Sequence, residues 1–133
     1  MNRVMQQAKH KFSQFCLLIV FFSLGACNEE PAYILGPQLY KDVEVIVDVR
    51  PGAPRVGMNE FIIVATHKNG LPGHLFIVSI KLEGTQEWHQ SIQDGHSGVY
   101  RRALRVNDPK KDVLLVQLQQ ENEEGILSFP LAK

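Results

Sequence analysis

Polar and apolar positions alternate along most of this chain, and the stretch where they do not comes first. Residues 15–22 read FCLLIVFF, and Ser23 and Leu24 continue the run. Arg3, Lys9 and Lys11 precede it, and no acidic residue occurs before Glu29. A membrane-spanning helix needs about 20 apolar residues, roughly twice this run. A buried core helix fits poorly, because the run is apolar all round and follows a basic segment. A positive segment and then a short apolar one is the plan of a secretory leader.

Beyond the leader the dominant period is two. In residues 42–49, Val43, Val45, Val47 and Val49 fall on one face, and Asp42, Glu44 and Asp48, with Ile46, on the other. Pro51, Gly52 and Pro54 end that run. A second strand is predicted over 60–66 (EFIIVAT), followed by the turn signal Asn69-Gly70, whose residues tolerate positive φ. A third covers 74–82, with Phe76, Val78 and Ile80 in phase, and a weaker fourth covers 86–92. The fifth, 99–106, sets Tyr100, Leu104 and Val106 opposite Arg101 and Arg105. Residues 113–119 (VLLVQLQ) give a sixth and 126–131 a seventh, where Pro130 marks an edge or an end. No segment after the leader has a convincing 3.6-residue period.

Evenly spaced short strands separated by turn signals predict an all-β fold, a single seven-stranded immunoglobulin-like β-sandwich. The expectation rests on strand count, since the Cys…Trp…Cys spacing of antibody domains is absent. Between leader and sandwich, residues 28–40 (NEEPAYILGPQLY) contain Pro31, Gly36 and Pro37 and read as a short tether, docked in part through Tyr33, Ile34 and Leu35. The expected organisation is a leader at 1–26, a tether at 27–40 and a sandwich at 41–133.

Charge and cysteine content narrow the partners. The whole chain of 133 residues balances 14 Lys and Arg against 14 Asp and Glu. Loss of the leader removes three basic residues and leaves 107 residues with a net charge of −3. That length suits one core. A mildly acidic domain argues against nucleic acid and anionic headgroups as partners. Of the two cysteines, Cys16 lies in the leader, so Cys27 has no partner for an internal disulfide once the leader is gone.

The leader ends Leu24-Gly25-Ala26-Cys27. This resembles the lipobox of bacterial lipoproteins: a Leu, two small residues that suit a narrow protease pocket, then a Cys. The resemblance implies cleavage before Cys27, a diacylglyceryl group on its sulfur, and a third acyl chain on its new amine in many Gram-negative bacteria. Each buried CH₂ contributes about 0.8 kcal/mol, so several chains make release negligible. The implied location is the bacterial cell envelope, lipid-anchored and facing the periplasm. Asn28, where an Asp would resemble an inner-membrane retention signal, favours the outer membrane.

A second resemblance spans about residues 43–131. The segments Gly57-Met58-Asn59-Glu60-Phe61, Asn69-Gly70-Leu71-Pro72 and Gly98-Val99-Tyr100 are similar to those of small periplasmic YtkA-like and FixH-like domains. The sixth strand departs from that pattern, with Lys111-Asp112-Val113 in place of a Gly-x-Trp start. The resemblance implies an immunoglobulin-like sandwich held by an N-terminal helix or lipid, associated in some members with copper delivery and oxidase assembly.

Candidate chemistry is sparse. His67 and His74 flank the Asn-Gly turn, and a hairpin there brings them face to face with Met58 nearby in sequence; imidazole and thioether are ligands suited to copper. Their spacing matches no strong metal motif, so no cofactor is expected. Ser91, Ser97 and Ser128 lie in no nucleophile elbow, and no enzyme activity is expected. Arg101, Arg102 and Arg105 form a basic patch that reads either as a solvated face or as a docking face for an acidic partner. Trp88 reads as half-buried packing or as an exposed anchor. The expected function is non-enzymatic: a lipid-anchored protein whose sandwich binds an envelope protein, with a copper-binding accessory role as the alternative. Replacement of Cys27 by Ser is expected to remove the acyl-bearing mature form, as read by fractionation and intact mass measurement; a variant that still pellets with membranes and keeps its full precursor mass overturns the expectation.

Overall fold

The four alternating valines of residues 43–49 become the buried side of an interior strand. In the computed structural model, which describes residues 27–133, nine strands follow one another. They are β1 (Tyr33–Tyr40), β2 (Val43–Arg50), β3 (Gly57–His67), β4 (Ile77–Leu82), β5 (His89–Gln90), β6 (Ile92–Gln93), β7 (Val99–Val106), β8 (Val113–Gln120) and β9 (Glu123–Pro130). The leader expected at 1–26 lies outside the described residues. The strands form two antiparallel sheets, one in the order β1-β2-β3-β7-β6 and the other in the order β5-β4-β8-β9. The architecture is a β-sandwich, as expected. Its strand count is nine rather than seven, and the two additional strands have separate causes.

The first is β1, which occupies most of the stretch expected as a tether. Gly36 and Pro37 do not stop the strand. They form an irregularity between Leu35 and Gln38, where the register against β2 shifts. Gly36 takes φ +91° there, a conformation open to glycine. Pro37 lacks an N–H, which an edge strand tolerates. Leu35 is buried, and Tyr33 and Tyr40 pack against the core from the same strand. The second cause is the division of the weak fourth run. β5 pairs with β4 in one sheet, and β6 pairs with β7 in the other. Between them lies buried Ser91, whose N–H donates to the Val78 carbonyl at 2.7 Å. This single segment steps from sheet to sheet.

Inward positions of both sheets fill one core. Val45, Val47, Val49, Phe61, Ile63 and Tyr100 meet Ile80, Leu114, Val116, Leu118 and Phe129. On one flank the edges β1 and β9 close against each other. The Tyr33 hydroxyl donates to the Leu131 carbonyl at 2.8 Å, the Gln38 amide bonds the Ser128 carbonyl, and Lys41 pairs with Glu123. The Tyr40 ring lies over Gly125, where a Cβ would overlap it. On the other flank the β5–β6 crossover closes the gap in part.

Asn69-Gly70 does form a turn, with Gly70 at φ +83° and the Asn69 Oδ1 accepting from the Leu71 N–H at 3.0 Å. The turn closes a single antiparallel bridge, Thr66 to Pro72, and no hairpin of β3 with β4. β3 and β4 belong to different sheets, so the connection crosses the end of the sandwich. Tyr100 holds it there: its buried hydroxyl donates to the Gly73 carbonyl at 2.8 Å. The Gly73 N–H in turn donates to the Ala65 carbonyl at 2.9 Å. Gly98 packs at the same place with φ +72°, and a Cβ there would sit 2.6 Å from the Ala65 carbonyl oxygen. Replacing Tyr100 by Phe strands the Gly73 carbonyl without its donor. Urea unfolding is expected to show a loss of about 1–2 kcal/mol with an unchanged slope.

Candidate functional site

Cys27 is exposed and has a free thiol. Five residues, 28–32, separate it from β1. Six Cα steps reach at most about 20 Å, so whatever is attached to this sulfur stays close to the first strand. The segment is not free of the domain. Glu29 and Glu30 line a hollow of about 610 Å³ with Arg50, Pro51, Glu60, Ile62 and Arg101. Glu30 sits over Gly52, where a side chain would collide with it. Ahead of β1 the chain therefore stays beside the end of β2, with Glu29 and Glu30 at the margin of the outer face of the five-stranded sheet.

That face is ordered by cross-strand register. Ile34, Asp48, Ile62, Arg101 and Ile92 lie in one row across all five strands. Asp48 Oδ2 accepts from Arg50 Nε at 2.9 Å and Nη2 at 2.7 Å. Arg101 lies 4.0 Å from Glu60 and 3.6 Å from Asp94. Exposed pairs of this kind contribute about 0.2–1 kcal/mol each, so they orient Arg101 more than they stabilise the sheet.

The basic patch expected on β7 divides between two faces. Arg101 and Arg105 point outward, as their parity predicts, while Arg102 falls on the inward parity beside Phe61 and is half-buried. It stays reachable because β6 ends its pairing at Arg101, leaving the sheet margin open there. Trp88 is half-buried, with the Lys81 ammonium 4.8 Å from its ring centroid. Ser97 serves a turn, donating its hydroxyl to the Asp94 carbonyl at 2.5 Å.

His67, His74 and Met58 are distributed differently from the expectation. Met58 and His67 stand near opposite ends of β3, nine residues and so about 30 Å apart. His67 stacks on Phe76 at 6.4 Å and bonds Asp42 through Nδ1 at 3.1 Å. His74 instead meets His96 edge-on, with ring centroids 5.6 Å apart. Its Nδ1 lies 3.2 Å from the Pro72 carbonyl, which can only accept, so Nδ1 is the donor of that contact. Among the described residues no three His, Cys, Asp or Glu side chains converge as a metal set.

One polar residue of structural weight sits inside an apolar run. Asn59 is buried, its Nδ2 donates to the Arg55 and Gly57 carbonyls at 2.7 and 3.0 Å, and its Oδ1 accepts from the Arg55 N–H at 3.0 Å. It fixes the loop between β2 and β3. Its inward parity with Phe61, Ile63 and Ala65 is the signal in the sequence: a polar side chain in phase with core residues needs local backbone partners.

No family model, curated protein or solved structure matches the chain.

The Asp42–His67 contact has a consequence for pH. The hydrogen bond from His67 is the main influence holding the Asp42 carboxyl below its ordinary value of 3.8. A depressed carboxylate contributes stability that is complete above the unfolded value and lost as pH falls through the lower folded one. The Asp42 carboxyl carbon, followed by NMR, is expected to titrate with a midpoint below 3.8, and His67→Ala is expected to move that midpoint upward.

Proposed function

We propose that this chain is a non-enzymatic, lipid-anchored protein of the bacterial envelope whose β-sandwich binds another protein. The observation that carries the reading is the position of Cys27. An exposed thiol at the end of a lipobox-like segment stands five residues ahead of a folded sandwich. Acyl chains on that sulfur hold the sandwich within about 20 Å of the bilayer surface, facing the periplasm. Asn28 favours the outer membrane. The strand order supports an immunoglobulin-like assignment: β2-β3-β7-β6 facing β4-β8-β9 follows the constant-type arrangement, with β1 added ahead of it and the two-residue β5 added beside β4. Sandwiches of this type present edges and end loops to partners rather than a deep pocket.

A second reading, a copper-binding accessory protein, is favoured by one contact. His74 and His96 meet edge-on with ring centroids 5.6 Å apart, and the Pro72 contact engages Nδ1 of His74 and not Nε2. The YtkA-like resemblance points the same way.

Crosslinking of intact envelopes followed by capture of the full chain tests the first reading. The same partner is expected in repeated captures and not from Cys27→Ser cells; captures without a reproducible partner count against it. Copper(I) titration of the detergent-solubilised protein tests the second reading, with stoichiometric binding lost in His74→Ala and in His96→Ala selecting it over the first.

A further inference from the structure

The flank opposite the β1–β9 closure is sealed only part of the way. β6 pairs with β7 at Tyr100 and Arg101 and no further, so Arg102 to Val106 form a margin of the five-stranded sheet. The phase of the ladder says which backbone groups are left open. The Asp94 N–H donates to the Val99 carbonyl at 2.8 Å, so Val99 and Arg101 turn their polar backbone groups toward β6. With a period of two, Ala103 and Arg105 turn theirs the same way, past the end of β6. Arg102 and Leu104 face β3 instead. Among the described residues, no backbone or side-chain group bonds the N–H or C=O of Ala103 or Arg105 on that side. Both residues are exposed.

Space and side chains suit an added strand. A hollow of about 370 Å³ adjoins this margin, lined by Leu104 and Arg105 with Leu82, His89 and the 85–87 segment. A second, of about 480 Å³, lies on the outer side beside Ile92, Arg101, Arg102 and Ala103. Alternate side chains of an extended peptide enter two such hollows when its backbone continues the ladder. Ile92 and Met58, 71% and 54% exposed, offer apolar contact at either end. Charge selects the occupant. Arg101 is shared between Glu60 and Asp94, whereas Arg102 and Arg105 take part in no ion pair among the described residues. Glu29 and Glu30 already share a neighbouring hollow with Arg50 and Arg101, an internal instance of acidic side chains seated against this face. A second copy of this chain would bring two arginine-bearing margins together, and like charges facing each other across a ladder are destabilising.

We propose that the free margin of β7, through the backbone of Ala103 and Arg105, accepts an acidic extended segment of another protein as an added antiparallel strand. This rests on the protein-binding reading above and names its site and the chemistry of its partner. Arg102 and Arg105 supply attraction and select against basic segments, and the two hollows fix register.

The test uses the ¹⁵N-labelled full chain in detergent and two capped hexapeptides, Glu-Val-Glu-Val-Glu-Val and Lys-Val-Lys-Val-Lys-Val. The acidic probe is expected to shift the Ala103 and Arg105 amides and protect them from exchange. The double variant R102E/R105E is expected to weaken it about tenfold or more and to favour the basic probe. Ala103→Pro removes only an outward-facing N–H, leaves the bonds to β3 in place, and is expected to abolish binding of the acidic probe while the remaining amide spectrum is kept. Unshifted Ala103 and Arg105 amides, or equal binding of the two probes, overturn the proposal. Photocrosslinkers at Ala103 and, on the opposite sheet, at Ile126 separate the two levels of the argument. Crosslinks in envelopes from Ile126 alone overturn this site and leave protein binding standing, whereas none from either position overturns both.

Discussion

The structure depends on one constraint: two sheets with no disulfide between them must be held chiefly by burial. The only cysteine among the described residues is exposed at the start of the chain. Every inward position therefore carries weight, and the sandwich spends almost none of them on polar groups. Among the described residues the buried polar side chains are Asn59 and Ser91. Asn59 has three backbone bonds, and Ser91 occupies the point where the chain steps between sheets. Burial of apolar area acts without direction. Specificity has to come from elsewhere, and the Tyr100 hydroxyl, the Asn59 amide and the β1–β9 contacts supply it at the two ends and one flank.

The same economy explains how the margins are treated. A two-sheet sandwich exposes four edges, each a template for unwanted pairing. The β1 and β9 edges are turned toward each other and joined by side-chain bonds to main-chain carbonyls. The β5–β6 segment covers a second pair for a short length, because four paired residues are all it provides. What is left bare lies on β7 and carries arginines.

Much of this was legible in the residues. β2 could be read to within one residue, since four valines in strict alternation admit no other period. β7 and β8 were equally clear. β1 was not, because Gly36 and Pro37 look like breakers; whether such a pair ends a strand or bends it depends on Leu35 finding the core, which is a tertiary fact. The division at Ser91 was hidden too, for a local pattern cannot show that its two halves pair with different sheets. Asn69-Gly70 signalled its turn correctly but not its destination, since a turn fixes local direction and the core decides which sheet comes next. The candidate residues follow the same rule. Positions on one strand, such as Arg101 and Arg105, were placed correctly by parity. Groups joined across loops were not: His74 meets His96 instead of His67, and Met58 stands far along β3.

The joining of β1 to its neighbours has a mechanical side. Five residues link Cys27 to β1, so a pull on that sulfur enters the sandwich through this strand. β1 runs antiparallel to β2 over its length. Tension applied at Tyr33 against a load held at the far end of the sheet would act parallel to the strands. The rungs between β1 and β2 then share the force and must yield together in shear, where a load from the side would peel them one by one. The contacts with β9 brace the same strand from its other side. A domain built this way resists extension when the load enters through its first strand.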